Sequence, residues 1–156
     1  MRRMLLASAG VLLGVGLLGA GDAQPGTKAA KEEMAKLQGT WKVVAAQMAG
    51  KDFPDFKKLQ LVINRDTMAL KASGMDVKSW TFTVDPSRKP KAMDWIMGEE
   101  KASLPAIYSL EGDDLRICFP LLPKKGQKAE FKLTRPESFE TKDKPFGLFV
   151  LKREKP

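Results

Sequence analysis

The sequence predicts a mainly β domain: an antiparallel meander of about eight or nine short strands, closing into a barrel, with one short N-terminal helix. Two observations carry this. From residue 40 onward, apolar residues alternate with polar ones at a period of two, as in strands with one buried face. Between the alternating runs stand tight-turn residues, and no helix-length segment separates any two runs, which favours antiparallel hairpins over a parallel α/β sheet. A meander of this kind must hide its edge strands, and closure into a barrel hides them all.

The elements follow in order. Gln24-Pro25-Gly26 form a joint, and Thr27 is placed to cap a helix over 28–38. In that helix Ala30, Met34 and Leu37 recur at helical spacing, and Lys28, Glu32 and Lys36 supply pairs four apart before Gly39 stops it. The strand faces are Trp41, Val43 and Ala45; Leu59, Leu61 and Ile63; Met68 and Leu70; and Trp80, Phe82 and Val84. They continue with Met93, Trp95 and Met97; Ala106, Tyr108 and Leu110; Leu115, Ile117 and Phe119; Phe131 and Leu133; and a last run over 146–151. Turns are expected at Asn64-Arg65-Asp66, Ser73-Gly74, Asp85-Pro86-Ser87, Glu111-Gly112-Asp113-Asp114 and Lys124-Lys125-Gly126. The stretches 49–56 and 98–103 read as surface loops. Pro105 and Pro120 at strand ends predict bulges or edges and a barrel incomplete near them.

The first 23 residues read as an export signal: Met1-Arg2-Arg3, an uncharged apolar stretch, then small residues before Asp22-Ala23-Gln24, with cleavage after Ala23 or Ala20. This divides the chain into a signal over 1–23, a linker and helix start over 24–36, and a β domain over 37–156. The mature protein is expected in the periplasm or cell envelope or secreted, with no transmembrane span. No cysteine near the cleavage sites marks a lipid-anchored precursor.

Composition narrows the chemistry. The 156 residues include 27 Lys and Arg, 19 Asp and Glu, one cysteine and no histidine. Removal of Arg2, Arg3 and Asp22 would leave a net charge of +7. Without histidine the chain lacks the usual general base and the commonest zinc ligand, so no catalytic residue, metal or cofactor is expected. Cys118 alone forms no internal disulfide, and stability must come from packing. Arg116 shares its strand face and could acidify the thiol, but a small half-buried strand residue is the commoner role. The acidic pairs Glu32-Glu33, Glu99-Glu100 and Asp113-Asp114 fall on a polar helix face, in a loop and in a hairpin turn, which is poor placement for paired-carboxylate catalysis. Basic clusters occur at Arg88, Lys89 and Lys91, at Lys124, Lys125 and Lys128, and at Lys152, Arg153 and Lys155. The first is a weak candidate for anion contact. None is interleaved with aromatics, so nucleic acid is not an expected partner.

Four segments add a resemblance. They are Leu37-Gln38-Gly39-Thr40-Trp41-Lys42-Val43-Val44, Val84-Asp85-Pro86-Ser87-Arg88-Lys89-Pro90-Lys91-Ala92-Met93-Asp94, Ala106 to Phe119 around Glu111-Gly112-Asp113, and Val150-Leu151-Lys152-Arg153. In this order and spacing they resemble a small lipocalin-like domain family expanded in planctomycete bacteria, often found behind an export signal. The resemblance implies a lipocalin-like fold and brings no activity, ligand or catalytic residue with it. Lipocalins also carry a Gly-x-Trp on the first strand whose ring is covered by an arginine of the last. Gly39, Trp41 and Arg153 match, which implies a structural plug at one barrel end.

Two function classes remain. Leu61, Met68, Trp80, Phe82, Met93, Trp95 and Tyr108 fall on faces that would line a barrel interior, and flexible thioethers with large rings suit a small apolar ligand. The first class is therefore an exported, non-enzymatic module holding a small apolar ligand or envelope component in the barrel or at its rim. The second is a structural or protein-interaction module with a filled core and a basic, anion-contacting surface.

Overall fold

The computed structural model describes residues 26–124 and 133–156. The export signal, Lys125, Gly126, Lys128 and Phe131 lie outside the described residues.

The chain opens with a helix, α1 (Lys28–Leu37), started by Thr27, whose hydroxyl accepts from the Ala30 amide at 3.2 Å. Gly39, at φ 120°, then turns the chain into the sheet. The strands are β1 (Gly39–Met48), β2 (Lys51–Asp52), β3 (Leu59–Asn64), β4 (Thr67–Ala72) and β5 (Met75–Asp85). They continue with β6 (Lys91–Met97), β7 (Ala102–Glu111), β8 (Asp114–Pro120) and β9 (Phe146–Arg153). Each of β3 to β9 pairs with its predecessor in the barrel, and β1 pairs with both β3 and β9. The result is a closed, antiparallel, lipocalin-like barrel of eight strands, with β2 as a ninth short strand outside β1.

Alternation decides what is inside. Leu61 and Ile63, Trp80, Phe82 and Val84, Met93 and Trp95, and Leu115 and Ile117 are all buried and form one cluster. In β1 the phase changes. A bulge between Val43 and Ala45 leaves Val44 39% exposed and moves the inward position from Ala45, where the sequence pattern put it, to Ala46. A second bulge, where Leu70 pairs with Lys78 but Lys71 with Asp76, leaves Val77 outside in the same way. The stretch 49–56 is not a bare loop: it holds β2 and enters a 3₁₀ turn, Pro54–Lys58. In the other expected loop, β7 already begins at Ala102, and Leu133 lies in no strand.

The barrel closes, but as the prolines predict it is incomplete beside them: the β7–β8 ladder reaches neither Pro105 nor Pro120. The β6–β7 ladder runs through Pro105, from Lys91↔Tyr108 to Met97↔Ala102. Pairing of β7 with β8 starts only at Ile107↔Cys118, so β7 has a ladder on one side alone at Pro105, where a missing N–H is tolerated. Arg135 braces this region from the segment after β8, donating to the Ala106 carbonyl at 2.6 Å and to Asp94 Oδ1 at 2.6 Å.

The two barrel ends differ. The loops 65–66, 86–90 and 112–113 surround the end beneath α1, and the segments 49–58, 73–74, 98–101, 121–124 and 133–145 lie towards the mouth. At the α1 end, Trp41 is fully buried and donates its Nε1 to the Leu37 carbonyl at 2.9 Å. The Arg153 guanidinium stacks 4.1 Å from the indole and donates to the carbonyls of Gln38 at 2.6 Å and Lys36 at 2.7 Å. Gly39 makes room, since a Cβ there would lie 3.2 Å from Arg153 Nη1. One guanidinium thus ties strand, helix end and tryptophan together. Arg153→Lys keeps the charge but loses the planar fork and is expected to cost about 1–2 kcal/mol, with Arg153→Ala costing about 2–4, in urea unfolding followed by tryptophan emission. A lysine variant as stable as the wild type would show that the stacked fork contributes nothing.

Candidate functional site

The structure separates the seven interior candidates. Leu61, Met68 and Met93 are 0–1% exposed and belong to the packed core. Phe82 borders a shallow recess of about 190 Å³ beside α1, and Tyr108 turns towards the α1 end. Only Trp80 and Trp95 come together around an apolar cleft, of about 230 Å³, at the barrel mouth.

Position along the strands builds this cleft. Leu70, Trp80, Trp95, Leu104, Phe119 and Phe149 are inward residues of six strands, β4 to β9, and Met48 and Met97 end β1 and β6. The 3₁₀ turn folds Phe56 back against them, and Leu121 and Leu122 rise from the end of β8. A chain of ring contacts crosses the lumen: Trp80–Trp95, Trp95–Phe119 and Phe119–Phe149 at 5.0 Å between centroids, and Phe149–Phe56 at 5.7 Å. Such pairs add about 0.5–1.5 kcal/mol each beyond their burial, so the rings make a firm floor between the cleft and the filled barrel below. Gly147 is part of the floor, because a Cβ there would meet Met48 Sδ and the Phe119 ring at 2.7 Å.

One polar atom in this wall lacks a partner. Trp80 Nε1 is buried and no atom of the described residues accepts from it, whereas Trp95 Nε1 donates to Met93 Sδ at 3.1 Å. An unsatisfied buried donor costs about 1–3 kcal/mol. Among the described residues Lys78 is the only charged one lining the cleft.

Sequence reasoning placed Phe119 and Met97 on inward faces without assigning them to a site and missed Phe56, Lys78, Leu104, Leu121 and Leu122. Phe53-Pro54-Asp55-Phe56, two aromatics around a proline turn, was the signal available for Phe56. Lys78 keeps the inward phase of Trp80 and Phe82 along β5, but its charge hides it from an apolar pattern.

The basic candidates sit at the other end. Arg88, Lys89 and Lys91 border a surface recess of about 360 Å³ with Pro86, the cis-linked Pro90 and Phe139. Arg88 Nε pairs with Asp85 Oδ2 at 3.2 Å and Lys91 Nζ with Glu33 Oε2 at 3.1 Å. Two of the three cations are thus spent on internal partners. Burial pushes the Asp85 carboxyl up, but hydrogen bonds from Ser87 and Arg88 outweigh it and hold the group below its ordinary value.

Glu33 corrects an expectation. The pair Glu32-Glu33 was assigned to a polar helix face, yet Glu33 is 6% exposed and enters the barrel end. Residue 33 lies three after Ala30 and four before Leu37, on the helix's apolar stripe. Its Oε2 accepts from the Tyr108 hydroxyl at 3.1 Å, and Lys36, not Lys91 alone, pairs with it at 3.1 Å. The other acids serve turns, Asp113 pairing with Arg153 and Lys155 and Asp114 with Lys152.

Cys118 is fully buried, and burial pushes its thiol up to about 11, so Arg116 does not activate it. The guanidinium of Arg116 lies instead over the Phe139 ring at 4.8 Å. Among the described residues no group of three or more His, Cys, Asp or Glu is arranged to hold a metal ion, and no helix is long and apolar enough to cross a membrane.

No known family model, curated protein or solved structure matches this chain. The fold and the site by themselves define a closed lipocalin-like barrel, with a helix across one end and an apolar cleft at the other.

Two outcomes check this chemistry. Burial raises the Glu33 carboxyl, but hydrogen bonds from Lys91, Lys36 and Tyr108 outweigh it and hold the group below its ordinary 4.5. A depressed folded-state value contributes stability above pH 4.5 that is lost as pH falls through that value. Glu33→Gln is therefore expected to lose about 1–3 kcal/mol at pH 7, a deficit that narrows on acidification in urea titrations. A deficit constant with pH would show that Glu33 contributes only packing. Cys118 is expected to resist iodoacetamide at neutral pH in the folded protein and to react fully in urea, as read by mass spectrometry. Rapid native labelling would contradict its burial.

Proposed function

We propose that this protein is an exported, non-enzymatic binding module that holds a small apolar ligand at the rim of its barrel. The observation that carries this reading is the mouth cleft, walled by aromatic and aliphatic side chains and closed below by the ring floor. At about 230 Å³ it is below the ~300–1,000 Å³ of drug-sized ligand sites, so it suits one chain or one ring system. The filled core beneath it argues for the rim over the deep interior as the place of binding.

Export rests on the arginine-led apolar segment at the N-terminus, and the four family-like segments support kinship with the planctomycete lipocalin-like domains. The alternative, a structural module that contacts polyanions through Arg88, Lys89 and Lys91, is disfavoured because Arg88 and Lys91 already have carboxylate partners.

The test is titration with N-phenyl-1-naphthylamine, a neutral apolar fluorophore, at neutral pH. Saturable one-to-one enhancement is expected, together with quenching of tryptophan emission. Met97→Glu places a charge on the half-buried wall and is expected to weaken binding about ten-fold with little change in the urea midpoint. No saturable binding, or the same affinity in the Met97 variant, would remove the cleft as the site.

A further inference from the structure

We propose that the mouth cleft selects an amphipathic acid, whose apolar chain or ring lies in the cleft while its carboxylate is received by Trp80 Nε1 and Lys78 Nζ. This rests on the rim-binding reading above and adds the chemistry of the ligand's polar end.

The argument begins with the three tryptophans, all buried. An indole N–H is a donor only, and burial without an acceptor is unfavourable. Trp41 has the Leu37 carbonyl and Trp95 has the Met93 sulfur, but Trp80 has no acceptor among the described residues. Of the three, Trp80 and Trp95 line the cleft.

The second observation is Lys78. The ladder is continuous through Trp80↔Met68, Ser79↔Ala69 and Lys78↔Leu70, so Lys78 and Trp80 share the inward face of β5. Two residues of strand put Lys78 about 6–7 Å nearer the mouth. Lys78 is exposed and makes no ion pair among the described residues, whereas nearby Lys71 is paired with Asp76 at 3.2 Å. No aspartate or glutamate among the described residues lines the cleft. One face of one strand therefore presents a buried neutral donor and, above it, a cation at the rim of an otherwise apolar wall. An apolar body with a single anionic acceptor group answers all three features. Neither an alkane nor an amine does.

Among the described residues, local topology leaves this side accessible. The β5–β6 ladder begins only at Thr81↔Ile96, so residues 75–80 extend with β4 as a two-stranded arm beside the cleft. An inward lysine on such a free edge also discourages pairing with another sheet. That role would not distinguish an acid from an alcohol, which is what the experiment reads.

Octanoic acid, 1-octanol and octylamine share one chain and differ in the head group. Each is titrated at neutral pH against the wild-type protein, Lys78→Gln and Trp80→Phe, followed by displacement of N-phenyl-1-naphthylamine and by calorimetry. Octanoate is expected to bind about ten-fold more tightly than octanol or octylamine. Lys78→Gln should remove most of that advantage and leave octanol unchanged, and Trp80→Phe should weaken octanoate and octanol alike. Circular dichroism and urea midpoints establish that both variants fold. Equal affinity for the three compounds, octanoate binding indifferent to both substitutions, or binding of the fluorophore but of none of the three would overturn the acid proposal and leave the rim site standing. Failure of the fluorophore itself to bind would remove the rim site as well.

Discussion

Seven residue pairs between β1 and β9, from Trp41↔Arg153 to Met48↔Gly147, join the first strand to the last and convert a meander into a closed barrel. Everything else hangs on that seam. With a single cysteine the chain cannot staple its ends covalently, so the seam must hold by ladder and packing alone. Each extremity of the seam has its own fastening. At one, the Arg153 guanidinium lies on the Trp41 ring and reaches carbonyls at the end of α1. At the other, Gly147 lets the Phe119 ring and the Met48 sulfur press onto the backbone of β9. The bulge at Val44 lies between them and lets one seam serve two ends: it shifts the inward phase of β1 so that Trp41 and Ala46 both point into the core.

From this seam follows a division between the ends. The α1 end is closed by polar groups that are all answered: Trp41 by Leu37, Tyr108 by Glu33, and Glu33 by Lys36 and Lys91. Buried polar networks of this kind give a unique arrangement when every member is satisfied. The mouth is built the other way, from rings and thioethers, with one buried donor and one lysine left unanswered within the described chain. A barrel whose polar groups were unsatisfied at both ends would have to compensate elsewhere. Here the discrepancy is confined to the end with an opening.

How much of this could be read in advance depended on whether a pattern was local. The alternation of Trp80, Phe82 and Val84, or of Leu115, Ile117 and Phe119, is a property of a few neighbours, and those faces were legible. The Trp41 and Arg153 plug was legible through resemblance, although its two residues are far apart in sequence. The bulges were not, because nothing in Val43-Val44-Ala45 or Asp76-Val77-Lys78 states that the partner strand skips a residue there. Glu33 was misplaced for a different reason. Helical arithmetic puts residue 33 on the apolar stripe, but its charge outweighed its position, and only the folded barrel shows a tyrosine and two lysines waiting for it.

The choice between a filled core and a ligand cavity proves to be no choice at all in this architecture. Eight strands leave an interior that side chains can fill, and the layers holding Trp41, Met68, Phe82 and Met93 do fill it. The strands nevertheless end at different heights. The β4–β5 arm projects past β6, and β7 has lost its ladder to β8 before it reaches the mouth. Among the described residues, the topmost rings are therefore left facing the cleft. A packed lower barrel fixes those rings in place, and a fixed aromatic floor is the kind of preorganised surface on which a small apolar group binds without first having to order its site. The solid core is thus a condition for the cleft and not a competitor to it.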